Sequence, residues 1–236
     1  MAQLGQMYAR GLGAPRDYAR AARWLREGAG HGSAEAMVGL GEFYSYGSGV
    51  PRSAHRAAAW WGRAMSRWRS AAARGDPGAM YGIGQLYLRG WGVGRSYAKA
   101  LAWWRRAAAL GNADAMYGLG RLYFRGRGVG RDYVKAVAWW RRAAAAGSGS
   151  AAYAIAVVYG RGLGVPRSRQ EAVSWLRKAA AEGSLAAKRA LARWRWWAWG
   201  WSTVAVCVAG ALVLSALLSW RARRRRRTAG AGNVPW

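Results

Sequence analysis

The stretch AMYGLGRLYFRGRGVGRDYVKAVAWWRRAAAAG, which begins at Ala115, repeats AMYGIGQLYLRGWGVGRSYAKALAWWRRAAALG, which begins at Ala79, so the two copies lie 36 residues apart. The same interval carries Tyr117 to Tyr153 and Tyr8 to Tyr44, whereas Tyr44 and Tyr87 are 43 apart. The second unit therefore holds seven extra residues, between Trp61 and Gly75. A fixed period of this length marks a repeat architecture built of stacked supersecondary units. Seven residues make about two helical turns, roughly 10 Å of helix, and leave an apolar face almost in phase. The insertion is expected to lengthen a helix without breaking the stack.

Each unit reads as a pair of helices. The first, for example Ala79 to Leu88, sets Tyr81, Ile83, Leu86 and Tyr87 among small residues that let a neighbouring helix come close. Gly82 and Gly84 within it cost about 1 kcal/mol each in helix propensity, so this helix depends on its neighbours. A Gly-x-Gly turn follows, as Gly90 and Gly92 or Gly126 and Gly128. Asp17, Ser53, Ser96, Asp132 and Ser168 then stand at one phase, where a short polar side chain caps the second helix. That helix carries the pair Trp103-Trp104, echoed by Trp60-Trp61, Trp139-Trp140 and Trp175-Leu176, and stops at Gly111, Gly147 or Gly183. Gly28 and Gly30 weaken the second helix of the first unit, where fraying is expected.

One such hairpin cannot cover its own apolar stripe, so stacking is required, and about five units exceed the usual minimum of roughly three. The expected fold is all-α: an α/α superhelical solenoid of about five hairpins over residues 1-187, with units near 1-35, 36-78, 79-114, 115-150 and 151-187. The order A-x-x-x-L-G-x-L-Y-x-x-G-x-G-V-x-x-D-Y-x-K-A-x-x-W-x-x-x-A-A-x-x-G, matched by Ala115 through Gly147, resembles the Sel-one-like repeat, a relative of the tetratricopeptide repeat. The resemblance implies a right-handed superhelix whose concave surface binds other proteins. Met1 aligns with Met80, inside the first helix of a unit, from which a misassigned start or a fragment is expected.

Past a basic connector at 188-195, the 25 residues from Trp196 to Trp220 carry no charge and would extend about 37 Å as a helix, against roughly 30 Å of bilayer hydrocarbon. Trp196, Trp197, Trp199 and Trp201 crowd one end and Trp220 marks the other, as interfacial belts do. A single transmembrane helix is expected at 196-220, with a weak small-residue stripe at Cys207, Ala211, Ser215 and Ser219. The tail, 221-236, opens with Arg221 and then Arg223, Arg224 and Arg225 through Arg227, a stop-transfer flank that could also meet anionic lipid. The positive-inside tendency puts this tail in the cytoplasm and the repeats on the non-cytosolic side, in the ER lumen or periplasm. The basic connector leaves the opposite orientation, with cytosolic repeats, as the alternative.

Enzyme chemistry lacks parts. His31 and His55 lie in different units with no recurrent carboxylate or nucleophile beside them, and Cys207 falls inside the expected span. The Gly-x-Gly turns have no preceding strand and no following Lys-Ser/Thr, so no nucleotide or other cofactor is expected. What remains is a surface. The 38 Lys+Arg against 9 Asp+Glu give +29, almost all of it arginine, which requires either an acidic partner or a GC-rich coding bias. Arg10, Arg89, Arg125 and Arg161 recur at the end of the first helix, and Arg16, Arg52, Arg95, Arg131 and Arg167 before the second. Stacking makes these a ladder for anions or an acidic partner. The expected function is a non-enzymatic, membrane-anchored scaffold or adaptor for other proteins. The repeat-plus-span order is similar to the adaptor subunit of endoplasmic-reticulum-associated degradation ligases. A bacterial envelope scaffold and a basic solenoid binding nucleic acid or another polyanion are the alternatives.

Overall fold

The computed structural model describes residues 1–193. It divides into a unit spanning Met1–Ser184 and a second beginning at Leu185, of which residues 185–193 are helical. The first unit consists of ten helices in five consecutive hairpins. The first helices are α1 (Ala2–Arg10), α3 (Ala34–Tyr46), α5 (Pro77–Arg89), α7 (Ala113–Arg125) and α9 (Gly149–Arg161). The second helices are α2 (Tyr18–Gly30), α4 (Ala54–Ala73), α6 (Tyr97–Ala109), α8 (Tyr133–Ala145) and α10 (Arg169–Ala181). Each first helix packs on its own second helix and, through α2–α3, α4–α5, α6–α7 and α8–α9, on the preceding hairpin. The all-α solenoid read from the period is the observed architecture.

The helix starts follow from capping at both places in the unit. Asp17, Ser53, Ser96, Asp132 and Ser168 each accept a hydrogen bond from the backbone N–H three residues on, as expected. The first helices have their own caps, Ser33, Asp76, Asn112 and Ser148, which the sequence reading overlooked. That is why α5 begins at Pro77 and not at Ala79: Asp76 accepts from the amides of Gly78 and Ala79, and Pro77 fits the first helical turn. The hairpins are closed by a recurring backbone bond, in which the amide of the second helix's cap residue donates to a tyrosine carbonyl in the first helix. It is seen as Ser96 to Tyr87 at 2.9 Å and Asp132 to Tyr123 at 2.9 Å.

Helix α4 has 20 residues where α6, α8 and α10 have 13, so the seven inserted residues do extend a helix. Gly28, expected to loosen α2, is buried inside it instead, and a Cβ there would stand 3.0 Å from the Cβ of Ala36 in α3. The missing side chain is what lets the first two hairpins close.

The expected span at 196-220, with Cys207 and its small-residue stripe, and the tail at 221-236 lie outside the described residues. Among the described residues no helix is long and apolar enough to cross a membrane.

Candidate interaction surface

Which side chains are free to meet a partner depends first on which ones the stack consumes. The tryptophan pairs are split in two by the helix. Trp61, Trp104 and Trp140 are buried, and their indole N–H groups donate to the carbonyls of Val38, Tyr81 and Tyr117, at 3.3, 3.1 and 3.1 Å. Each indole lies on the glycine of its own first helix: a Cβ on Gly41, Gly84 or Gly120 would run into the ring nitrogen of Trp61, Trp104 or Trp140. The other glycine of the same helix serves the preceding hairpin. A Cβ on Gly118 would lie 2.8 Å from the Trp104 ring, and one on Gly39 would lie 3.0 Å from Leu25. Leu25 and Trp104 thus each fill two notches, at Gly5 and Gly39 and at Gly84 and Gly118, one within the hairpin and one in the next.

The insertion divides this duty. Trp61 fills the notch at Gly41, while Trp68, seven residues on, fills the notch at Gly82, where a Cβ would be 2.6 Å from the ring. The third hairpin is therefore seated two turns further along α4 than the others are along their partners. The turn glycines record the same shift. Gly128 and Gly164 close on Tyr97 and Tyr133 at the starts of α6 and α8, whereas Gly92 closes on Trp61, its Cβ position 2.8 Å from that of Trp61. Gly126 and Gly128, at φ 65° and 73°, also need the left-handed region that glycine adopts without strain.

The first members of the pairs, Trp60, Trp103, Trp139 and Trp175, are only half-buried. They stand at the edge of the core. Each carries a cation from the next turn: Arg63, Arg106 and Arg142 at 4.6 Å, and Lys178 at 5.4 Å. Spacing by three places the charge over the ring.

All nine ladder arginines are exposed. Arg10, Arg89, Arg125 and Arg161 end α1, α5, α7 and α9; in α3 the same place is held by Tyr46, 72% exposed. Arg16, Arg52, Arg95, Arg131 and Arg167 lie in the turns, and their backbones and Cβ atoms close on Gly11, Gly47, Gly90, Gly126 and Gly162. Several guanidiniums rest on rings: Arg89 on Trp91 at 4.6 Å, Arg95 on Tyr97 at 5.7 Å and Arg131 on Tyr133 at 5.5 Å. Arg89 and Arg95 meet in one recess, and Arg125 lines the adjoining one. Trp196, Trp197, Trp199, Trp201 and Trp220, with Arg223, Arg224 and Arg225, lie outside the described residues.

Two arginines that the sequence reading missed, Arg121 and Arg127, line both recesses, together with Gln85 and Leu88. Their signal is a break in the period. The place of Arg121 is held by Gln6, Glu42, Gln85 and Val157 in the other units, and that of Arg127 by Leu12, Ser48, Trp91 and Leu163. On this face burial raises the Glu42 carboxyl above the usual range, with Arg89 and Arg10 pulling it back. The Tyr81 hydroxyl is also raised by burial, and it accepts a hydrogen bond from the Gln85 amide at 2.5 Å. His31 and His55 are exposed. Among the described residues no group of three His, Cys, Asp or Glu could hold a metal ion.

The Sel1 repeat family matches residues 1–33, 34–66, 77–112, 113–148 and 149–184, in step with the five hairpins. The chain is a Sel1-repeat protein. The gap between the second and third Sel1 repeats, 67–76, falls on the extended end of α4 and the turn after it. A Sel1 repeat protein from Oxalobacter formigenes is 30% identical over 79% of this chain and 73% of its own, with a TM-score of 0.53. Immunity protein PA5088 from Pseudomonas aeruginosa has the same fold at 22% identity and TM-score 0.50, covering 79% of this chain and 66% of its own. The protective antigen c5321 of uropathogenic Escherichia coli is 26% identical, with TM-score 0.49; the match covers 79% of this chain and 46% of that one. No curated protein matches the chain. Sel1-repeat proteins are scaffolds that bind other proteins through the solenoid surface.

Proposed function

We propose that this Sel1-repeat chain is a non-enzymatic, membrane-anchored scaffold or adaptor that holds other proteins on the face made by its first helices. One observation carries the reading. The repeating apolar and capping residues are spent inside the array: glycine notches filled by Trp61, Trp104 and Trp140, alanines packed between helices, and caps satisfying helix starts. The places that vary from unit to unit, such as Glu42, Gln85 and Arg121, remain on the surface, where they can select a partner. The 25 uncharged residues from Trp196 to Trp220, bracketed by tryptophans and followed by arginines, support the anchor. On that reading the tail is cytoplasmic and the repeats face the ER lumen or periplasm. An adaptor of the endoplasmic-reticulum-associated degradation type and a bacterial envelope scaffold both fit this arrangement.

The test is affinity capture with the full chain in non-ionic detergent, after nuclease treatment. Recovery of discrete proteins supports the scaffold; recovery only of nucleic-acid-dependent material refutes it. Reporter fusions at Trp236 decide the orientation: a cytoplasmic reporter is expected, and an external one would reverse it. The net charge of +29 favours polyanion binding as a second reading, whose mark is an affinity for random oligonucleotides that falls steeply with salt.

A further inference from the structure

A recess on the first-helix face is bounded by Tyr46 at the end of α3, Trp91 in the following hairpin's turn, and Arg121 of α7. Four guanidiniums line it, from Arg89, Arg95, Arg121 and Arg127, and no carboxylate does. All four rest on aromatic rings. Arg89 lies over Trp91 at 4.6 Å, Arg95 and Arg127 over Tyr97 at 5.7 and 5.9 Å, and Arg121 over Tyr117 at 5.8 Å. The ring contact restrains each guanidinium without using its N–H groups as donors, so the ordering cost that weakens most exposed ion pairs is partly met in advance. Among the described residues none of the four forms an ion pair within 4 Å, and Glu42 acts on Arg89 only at longer range. Asp114 lines the adjoining recess, yet with no carboxylate among them the four converging cations repel one another until an anion is bound.

We propose that this recess binds an acidic peptide segment of a partner protein, with two or more carboxylates accepting hydrogen bonds from Arg89, Arg95, Arg121 and Arg127. The proposal rests on the scaffold reading and names the chemistry of its partner. A second copy of this chain is a poor occupant, because 38 bases against 9 acids make the two repel. Nucleic acid held through its bases is disfavoured by the rings. Trp91 is stacked on Trp61, parallel to within 2°, and carries Arg89, while Tyr97 carries two arginines, so base stacking would have to displace cations already in place. Carboxylates use the guanidinium edges and disturb none of this.

The experiment is fluorescence anisotropy of a fluorescein-labelled hexaglutamate peptide with the full chain, in non-ionic detergent at about 0.15 M salt, where long-range attraction is screened. The recess triple variant Arg89→Gln, Arg121→Gln, Arg127→Gln is compared with Arg63→Gln, Arg106→Gln, Arg142→Gln, which removes the same charge from the second-helix face. All six side chains are exposed, so both variants should keep the parent far-UV spectrum. The recess triple should weaken binding by at least about tenfold, given the strength of hydrogen bonds to charged groups, and the other triple by no more than about threefold. Equal losses in the two triples, no binding by the parent chain, or displacement by oligothymidylate at a lower concentration than by unlabelled peptide would each overturn the proposal. Affinity capture with the recess triple separates the two readings. Proteins still captured while peptide specificity is absent would leave the scaffold standing and remove the recess.

Discussion

Replacing Gly120 by alanine adds one methyl group where the Trp140 indole already sits. A Cβ at this position would run into the ring nitrogen and the adjacent carbon, and Trp140 is 3% exposed, so the ring has no free space to retreat into. Overpacking of this kind costs about 1–3 kcal/mol, and a rigid buried ring puts it at the upper end. The shift also strains the bond from the Trp140 N–H to the Tyr117 carbonyl, 3.1 Å long, whose net worth is about 1 kcal/mol. Against this, alanine gains about 1 kcal/mol over glycine in helix propensity. The balance is a loss of about 3 kcal/mol. The fifth hairpin shows how to relieve it, since the equivalent places hold Ala156 and Leu176, both buried. In a Trp140→Leu background, Gly120→Ala should therefore be neutral or stabilising by up to about 1 kcal/mol, a coupling of 3 to 4 kcal/mol in the double-mutant cycle. Gly62→Ala, on an exposed part of α4 with no atom within 4 Å of the new Cβ, is the control and should stabilise by about 0.5–1 kcal/mol. Urea unfolding followed at 222 nm measures all four. If Gly120→Ala were as benign as Gly62→Ala, or equally costly with leucine at 140, the notch account would be wrong.

Within the pairs, Trp104→Ala should cost about 3–5 kcal/mol and Trp103→Ala about 1 kcal/mol, by the same unfolding assay, because only the second ring is core. Deleting residues 62–68 should leave a folded chain of unchanged cooperativity, since Trp61 can then fill both notches as Trp104 does; deleting 62–66 puts the face about 140° out of phase and should abolish cooperative unfolding. The amide and side chain of Lys135 hold the Asp132 carboxyl below its ordinary range. Its contribution to stability is accordingly full above the unfolded carboxylate value of about 4 and is lost as pH falls through the lower folded value. Asp132→Ser, the cap used at Ser96, should remove that part of the acid dependence in urea titrations between about pH 2 and 5.

Much of this was legible in the chain because a repeat reports itself. The period placed the hairpins, the polar residue after each turn placed the second helices, and seven added residues could only extend a helix in phase. The division of the tryptophan pairs was not legible. Adjacent residues differ by about 100° around a helix, but which of Trp103 and Trp104 faces inward depends on where Gly84 and Gly118 stand in two other helices. That those glycines let a neighbour come close was legible; which ring fills each of them was not. The arginine ladder was visible from its regularity. The recess was not, because Arg121 and Arg127 break the repeat and only the stacking of the third and fourth hairpins brings them beside Arg89 and Arg95.

The account holds that no hairpin is stable without its neighbours, since notches such as Gly82 and Gly118 are filled only by Trp68 and Trp104 of the preceding hairpin. The direct measurement is thermal unfolding, by far-UV circular dichroism, of the excised hairpin 113–148 beside the three-hairpin fragment 77–184. The account predicts a largely unfolded single hairpin with no transition and a cooperative, helical three-hairpin fragment. A sharp transition in the lone hairpin would contradict it.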